Sequence, residues 1–139
     1  MPKQFNILIL EDDYGRIDEF KNRFREFNDK YNIESIITHT EYANKCVELL
    51  SSDTVYDLVL LDHDLGGDVY VDINYKNTGS EVARFVNTSD KNFSNTQFIC
   101  HSLNVVGSEN ICQLIKGCIK CPGLWDIITF HKVIQYRGI

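Results

Sequence analysis

Tyr56-Asp57-Leu58-Val59-Leu60-Leu61-Asp62-His63-Asp64-Leu65-Gly66-Gly67 holds a run too apolar to be anything but a buried strand, ended abruptly by Asp-His-Asp and two glycines. In open α/β sheets ligands bind in the crevice outside the carboxyl ends of the strands, so Asp62, His63 and Asp64 stand where a site is expected. The pattern occurs twice more. Phe5-Asn6-Ile7-Leu8-Ile9-Leu10 is followed at once by Glu11-Asp12-Asp13, and Thr96-Gln97-Phe98-Ile99-Cys100 by His101-Ser102-Leu103-Asn104. Three apolar strands therefore deliver carboxylates, two histidines and hydrogen-bonding side chains to one rim.

Outward from these strands the chain alternates. Ile17, Phe20, Phe24 and Phe27 recur at helical spacing between Tyr14 and Asp29, with charges between them. A second strand is read at Ile33 to Thr38. The helix from Glu41 to Leu50 would bury Tyr42, Cys46, Leu49 and Leu50. Thr78-Gly79-Ser80-Glu81 has the form of a capping box ahead of Val82, Phe85 and Val86. A fourth helix is placed at Ser108 to Gly117 and a fifth strand at Trp125 to Phe130. His131 to Ile139 is short for another helix, and Val133-Ile134-Gln135-Tyr136 could form an extra edge strand.

Such alternation predicts an α/β domain over residues 1–139: a doubly wound, five-stranded parallel sheet with right-handed crossovers and helices on both faces. Its core should contain Ile7, Ile9, Phe20, Phe24, Leu58, Leu60, Val82, Phe85, Phe98 and Ile99, with Trp125 covering one edge. His63 to Asn77 carries no helical period and is read as a long surface excursion or small hairpin, the kind of loop that is often functional.

With 139 residues, 43% of them hydrophobic, the chain can fill one core and is short for two. It holds no apolar run near membrane-spanning length, and Met1-Pro2-Lys3-Gln4-Phe5 lacks the apolar segment of a signal peptide, so a soluble, unprocessed cytoplasmic protein is expected and a membrane partner is not. The net charge of −6, from 14 basic and 20 acidic residues, argues against long duplex nucleic acid, whose binding depends on Lys and Arg neutralising phosphates. A small phosphorylated ligand held through a cation remains compatible with an acidic rim. Of the five cysteines, Cys118 and Cys121 have the spacing of half a zinc site or of a redox pair, but no second CxxC or CxxH completes it; ordinary reduced thiols are the expectation.

Hard cations such as Mg²⁺ or Mn²⁺ take carboxylate oxygens from several strands, and histidine beside them can move a proton near neutral pH. Metal, carboxylate and imidazole together suit phosphoryl or phosphodiester chemistry. Each residue also has a purely structural reading. Glu11 and Asp13 can cap the following helix, His63 can orient Asp62 or bond a backbone carbonyl, and His101 with Ser102 can be internally satisfied. Gly66-Gly67 can serve a tight turn or let backbone N–H groups approach a phosphate. His39 and His131, without such neighbours, are read as structural or solvent-facing.

At these residues the chain resembles a response-regulator receiver domain: an acidic pair after the first strand, an aspartate ending the third and a hydroxyl residue, Ser102, after the fourth. Ile9-Leu10-Glu11-Asp12-Asp13 with Arg16, Leu61-Asp62-His63-Asp64-Leu65-Gly66, Thr78-Gly79-Ser80-Glu81-Val82-Ala83 and His101-Ser102-Leu103-Asn104-Val105-Val106-Gly107-Ser108-Glu109-Asn110 narrow this to the divergent receiver-like family named for cyclic-phosphate processing. The blocks span about Ile7 to Leu114. The resemblance implies the strand order 2-1-3-4-5. In ordinary signalling receivers the third-strand aspartate accepts a phosphoryl group and a lysine after the fifth strand contacts it. Asp62 matches the acceptor, and Lys132 falls close to the lysine position without the following proline. Histidines at the positions of His63 and His101 depart from ordinary receivers and tilt the site towards binding or hydrolysing a phosphoester.

The leading expectation is a metal-dependent phosphoesterase opening a cyclic phosphate on a small nucleotide or an RNA end. Asp12, Asp13 and Asp62 would hold Mg²⁺ or Mn²⁺ and Asp64 would orient His63. His63 and His101 would divide the base and acid roles, while Ser102, Asn104 and the backbone at Gly66 bind phosphate oxygens. The alternatives are a non-catalytic cyclic-nucleotide-binding module, acting as a sensor or a sequestering protein, and a phospho-accepting signalling receiver.

Overall fold

β1, Lys3–Leu10, buries both of its faces: Phe5, Ile7 and Ile9 point one way, Leu8 and Leu10 the other, and all are buried. A strand apolar on both sides belongs inside a parallel sheet covered by helices, and a computed structural model, which describes residues 1–121, places β1 there. The sheet runs β2-β1-β3-β4-β5, every pair parallel, with β2 at Ile33–Thr40, β3 at Leu58–Leu61, β4 at Gln97–Cys100 and β5 at Ile119–Lys120. Its register pairs Ile9 with Leu60 and Leu60 with Ile99, and on the opposite face Leu10 with Leu61 and Leu61 with Cys100.

Helix α1, Tyr14–Tyr31, packs Ile17, Phe20, Phe24 and Phe27 against the face that carries Ile9, Leu60 and Ile99. Asp13 starts it by accepting hydrogen bonds from the N–H groups of Gly15 (2.8 Å) and Arg16 (3.2 Å), and Asn32 ends it in the left-handed conformation, φ 52°. Helices α2 (Ala43–Ser51), α3 (Gly79–Thr88) and α4 (Val105–Leu114) cover the other face, around Leu8, Leu10, Val59, Leu61 and Cys100. All the expected core residues are buried except Phe85, which is half-buried at the edge of the second cluster.

Several boundaries depart from the sequence reading. α2 begins two residues late, leaving Tyr42 exposed ahead of it; Cys46 and Leu50 are buried as expected, Leu49 is half-buried, and Ala43 takes the place of Tyr42 in the core. The Thr78 hydroxyl accepts from Glu81 N–H (3.3 Å), but the Glu81 carboxylate pairs with Arg84 (2.7 Å), so half of the capping box forms. α4 begins at Val105 because the Asn104 side chain caps it, accepting from Gly107 N–H at 2.9 Å. The fifth position in the sheet belongs to Ile119–Lys120, where a segment at 125–130 was expected; that segment, with Trp125, Lys132 and Val133 to Tyr136, lies outside the described residues. β5 also parts the CxxC thiols: Cys121 joins the α1-side core and Cys118 packs against the opposite one. Among the described residues no helix is long and apolar enough to cross a membrane.

Candidate functional site

Strand alternation continues past the ends of β1, β3 and β4. Asp62 N–H still bonds Leu10 O, and His101 N–H still bonds Leu61 O, both at 3.0 Å. Glu11, Asp62 and His101 are therefore the next rung above Ile9, Leu60 and Ile99, on the α1 face. All three are buried, and one ligand atom from each lies within 4.8 Å of the others. His101 Nε2 sits 3.0 Å from Glu11 Oε1, and the ring packs edge-on against Phe20 at 5.1 Å between centroids. Its Nδ1 has no hydrogen-bond partner among the described residues.

Arg16, one turn into α1, spans this rung. Its Nε lies 2.7 Å from Glu11 Oε1, an ion pair off the hydrogen-bond axis, while Nη2 donates to Glu11 Oε2 at 3.4 Å and comes within 3.8 Å of Asp62 Oδ2. Glu11 Oε2 also accepts from the N–H groups of Asp12 (2.8 Å) and Asp13 (3.1 Å). Burial by itself would raise the Glu11 carboxyl, but His101, the Asp13 amide and Arg16 outweigh it and hold Glu11 well below the usual carboxylate range. Asp62 goes the other way: burial first, then the adjacent Glu11 charge, push it up to about 8. Without a bound cation, the Glu11 charge disfavours a second one on Asp62, and Arg16, 3.8 Å from Asp62, offsets this only in part. A hard cation would remove that conflict, so the donor set of two carboxylates, an imidazole and the nearby Asp12 fits one; the imidazole suits Mn²⁺.

The opposite face carries the next rung above Leu10, Leu61 and Cys100, namely Asp12, His63 and Ser102. His63 is fully buried beneath the rim. Its Nδ1 donates to Asp64 Oδ1 (2.9 Å), and its Nε2 accepts from the Ser80 hydroxyl (2.9 Å), which in turn accepts from Asn110 (2.8 Å). Gly107 lies against the ring so closely that a Cβ there would collide with it. His63 and His101 thus occupy opposite faces of the sheet, and neither opens into the cleft above.

That cleft, about 590 Å³, is lined by Asp12, Asp13, Arg16, Asp62, Asp64, Ser102 and Asn104 together with Tyr14, Gly67, Asp68, Val69, Tyr70 and Leu103, a volume that suits a small ligand. Asp13 is engaged as the α1 cap and exposed. Asp12 Oδ2 accepts from Gly67 N–H at 2.8 Å, and its carboxyl is raised by burial, in part offset by that bond. Gly66 and Gly67, at φ 76° and 81°, make the turn that aims this amide at Asp12. Asp64 is committed to the loop, accepting from Tyr70 N–H (2.6 Å), Val71 N–H (3.1 Å) and Asn104 Nδ2 (3.0 Å), bonds that outweigh its burial and lower its carboxyl. Asn104 Nδ2 also reaches Val71 O at 3.1 Å. Ser102 Oγ accepts from Asn104 N–H (3.1 Å), which leaves its own O–H to donate into the cleft.

Residues 7–117 match the family model described as "Cyclic-phosphate processing Receiver domain". The chain belongs to that family. Solved receivers share its fold. The N-terminal domain of a response regulator/sensory box/GGDEF 3-domain protein from Carboxydothermus hydrogenoformans superposes with a TM-score of 0.61 at 16% identity, covering 95% of this chain and 92% of that one. A response regulator receiver protein from Pseudomonas putida gives 0.60 at 12% identity over 98% and 99%. No curated protein matches the chain.

Within this cyclic-phosphate processing receiver, the structure brings Asp12, Asp13, Asp62, Asp64, Ser102 and Asn104 to one cleft, with Asp13 also capping α1, and leaves His63 and His101 outside its lining. Glu11, read from sequence as a possible helix cap, is the most buried acid of the site. Its parity with Ile7 and Ile9 is the signal that places it on the rung of Asp62 and His101.

Proposed function

We propose that this receiver binds a divalent cation at Glu11, Asp12, Asp62 and His101 and uses it to capture and hydrolyse a cyclic phosphate on a small nucleotide or an RNA end. The observation that carries the reading is the buried rung of Glu11, Asp62 and His101, whose Asp62 lines a nucleotide-sized cleft. A cation there would neutralise phosphate oxygens and make water more acidic, the contributions that phosphoester hydrolysis draws from such ions.

The side chains divide the remaining work. Ser102 O–H donates to a phosphate oxygen. Arg16, half-exposed, leaves the carboxylates when a cation replaces it and turns its planar fork to the phosphate. Asp64 and Asn104 hold the loop that closes the cleft rather than meeting the ligand through a free donor. His101 offers its imidazole to the cation beside Glu11, and His63 helps fix Asp64 in the loop. A pair of histidines flanking one phosphate is not the arrangement proposed.

A second reading, capture without cleavage, draws on the burial of both histidines, which leaves the cleft without an exposed imidazole. Incubation with Mn²⁺ and cyclic mononucleotides, cyclic oligonucleotides or RNA bearing a 2′,3′-cyclic phosphate, followed by chromatography of the recovered ligand, separates the two. Metal-dependent conversion to the opened phosphomonoester supports hydrolysis. Tight binding with ligand recovered intact supports the capture module, and neither binding nor conversion removes both.

A further inference from the structure

The carboxylates that line the cleft account for one end of a ligand, but the cleft has large, mostly apolar lining residues too. Tyr14, Val69, Tyr70 and Leu103 line it, and they are 62%, 76%, 80% and 63% exposed. They come from three separate segments, the start of α1, the loop after β3 and the loop after β4.

Tyr70 is held there against its backbone preference. At φ 53° it is one of two residues other than glycine with positive φ among the described residues, a conformation that ordinary side chains rarely adopt. The anchors on either side explain how it persists. Its own N–H donates to Asp64 Oδ2, and Val71, buried, donates its N–H to Asp64 Oδ1 while its C=O accepts from Asn104 Nδ2. The loop is tied to the cation end as well, through Gly67 N–H on Asp12. The aromatic ring is therefore presented on a fixed base while remaining in solvent.

Resting on the phosphate-binding reading above, we infer that Tyr70 and Leu103, with Tyr14 and Val69, form a nucleobase subsite, so that the ligand is a cyclic phosphate carrying a planar base. Phosphate and base need opposite surroundings: the first a cation and donors, the second an uncharged face on which to stack. The lining of the cleft supplies both. Stacking on an aromatic side chain is tolerant of base identity, so the subsite selects for the presence of a base more than for its sequence.

The test is equilibrium binding in Mn²⁺ of adenosine 2′,3′-cyclic phosphate, an oligoribonucleotide ending in a 2′,3′-cyclic phosphate, and glycerol 1,2-cyclic phosphate, which has no base. The wild-type protein should bind both base-bearing probes more tightly than the glycerol ester, by roughly 5- to 100-fold. Tyr70→Ala and, independently, Leu103→Ala should reduce that preference, while Tyr70→Phe keeps it. Mn²⁺ affinity of each variant reports whether the loop and floor remain intact. Equal affinity for all three probes, or a preference untouched by both alanine variants, overturns the subsite and leaves the phosphate reading standing. No binding of any probe removes the phosphate reading and the subsite with it. A preference for the oligonucleotide over the mononucleotide assigns the subsite to an RNA end, and the reverse to a free nucleotide.

Discussion

Glu11 Oε1 and His101 Nε2 lie 3.0 Å apart although 90 residues separate them in the chain, and both are buried. The contact closes a rung whose third member, Asp62, completes the proposed cation site. The predictions below follow from that rung and from the packing around it.

Cation affinity should rise with pH. A proton on Asp62 competes with the ion, and with that carboxyl pushed up to about 8 the competition persists from neutral pH to about pH 8. Calorimetric Mn²⁺ titrations between pH 6 and 9 should show tightening affinity and proton release. Affinity that is flat across this range would contradict it.

The same carboxyl predicts a pH-dependent stability. Folding raises Asp62 from an ordinary 3.8, so the folded, ion-free protein holds a proton that the unfolded chain has lost between about pH 4 and 8. Its contribution is fully present below pH 4 and disappears as pH rises through 8. Asp62→Asn, which mimics the protonated form, should unfold at a higher temperature than wild type at pH 8, by roughly 1–3 kcal/mol of stability, and should lose the stabilisation that Mn²⁺ gives wild type. Thermal unfolding with and without the ion checks both.

Arg16 and the cation compete for the same carboxylates. Replacing it with glutamine should tighten Mn²⁺ binding, of order tenfold, while weakening any phosphate ligand. If Arg16→Gln binds the ion more weakly than wild type, the guanidinium is not a competitor.

Gly107→Ala should destabilise the fold by roughly 1–3 kcal/mol, because the added methyl meets the His63 ring beneath the rim. Gly107→Ala combined with His63→Ala should recover part of the loss. A single variant with wild-type thermal unfolding would show that the ring is not fixed there.

Much of this arrangement is legible in the chain. Alternating apolar runs specify the parallel sheet, and the polar residues that follow Leu10, Leu61 and Cys100 mark the rim. Parity goes further: Glu11, Asp62 and His101 each stand two positions beyond Ile9, Leu60 and Ile99, and His63 stands two beyond Leu61, which separates the histidines by face. What the pattern does not carry is how each polar group is engaged. The Asp13 cap is one of the two roles the sequence leaves open, whereas Asn104 is a cap, and Asp64 a loop anchor, because of hydrogen bonds to amides three to seven residues away that no periodicity encodes. The fifth strand is equally hidden. Ile119–Lys120 is too short to show a period and earns its place by pairing with Ile99 and Cys100.

Thiol chemistry separates along the same lines. The neighbouring Cys118 thiol, with Lys120 nearby, outweighs burial and lowers the Cys112 thiol, whereas burial pushes Cys46 up to about 12. At pH 7 an alkylating reagent should modify Cys112 faster than an ordinary thiol, on the order of tenfold, and leave Cys46 unmodified in the folded protein. Peptide mass mapping over time reads the order of labelling, and Cys46 reacting first would contradict the packing described.

The measurement that tests the central claim most directly is conversion of an RNA 2′,3′-cyclic phosphate or a cyclic nucleotide by wild type and Asp62→Asn, each with and without Mn²⁺. Wild type should yield the opened phosphomonoester only when the ion is present, and Asp62→Asn should lose ion binding and conversion together. Conversion that proceeds undiminished in Asp62→Asn, or without any divalent ion, would contradict a cation-dependent site at Glu11, Asp62 and His101.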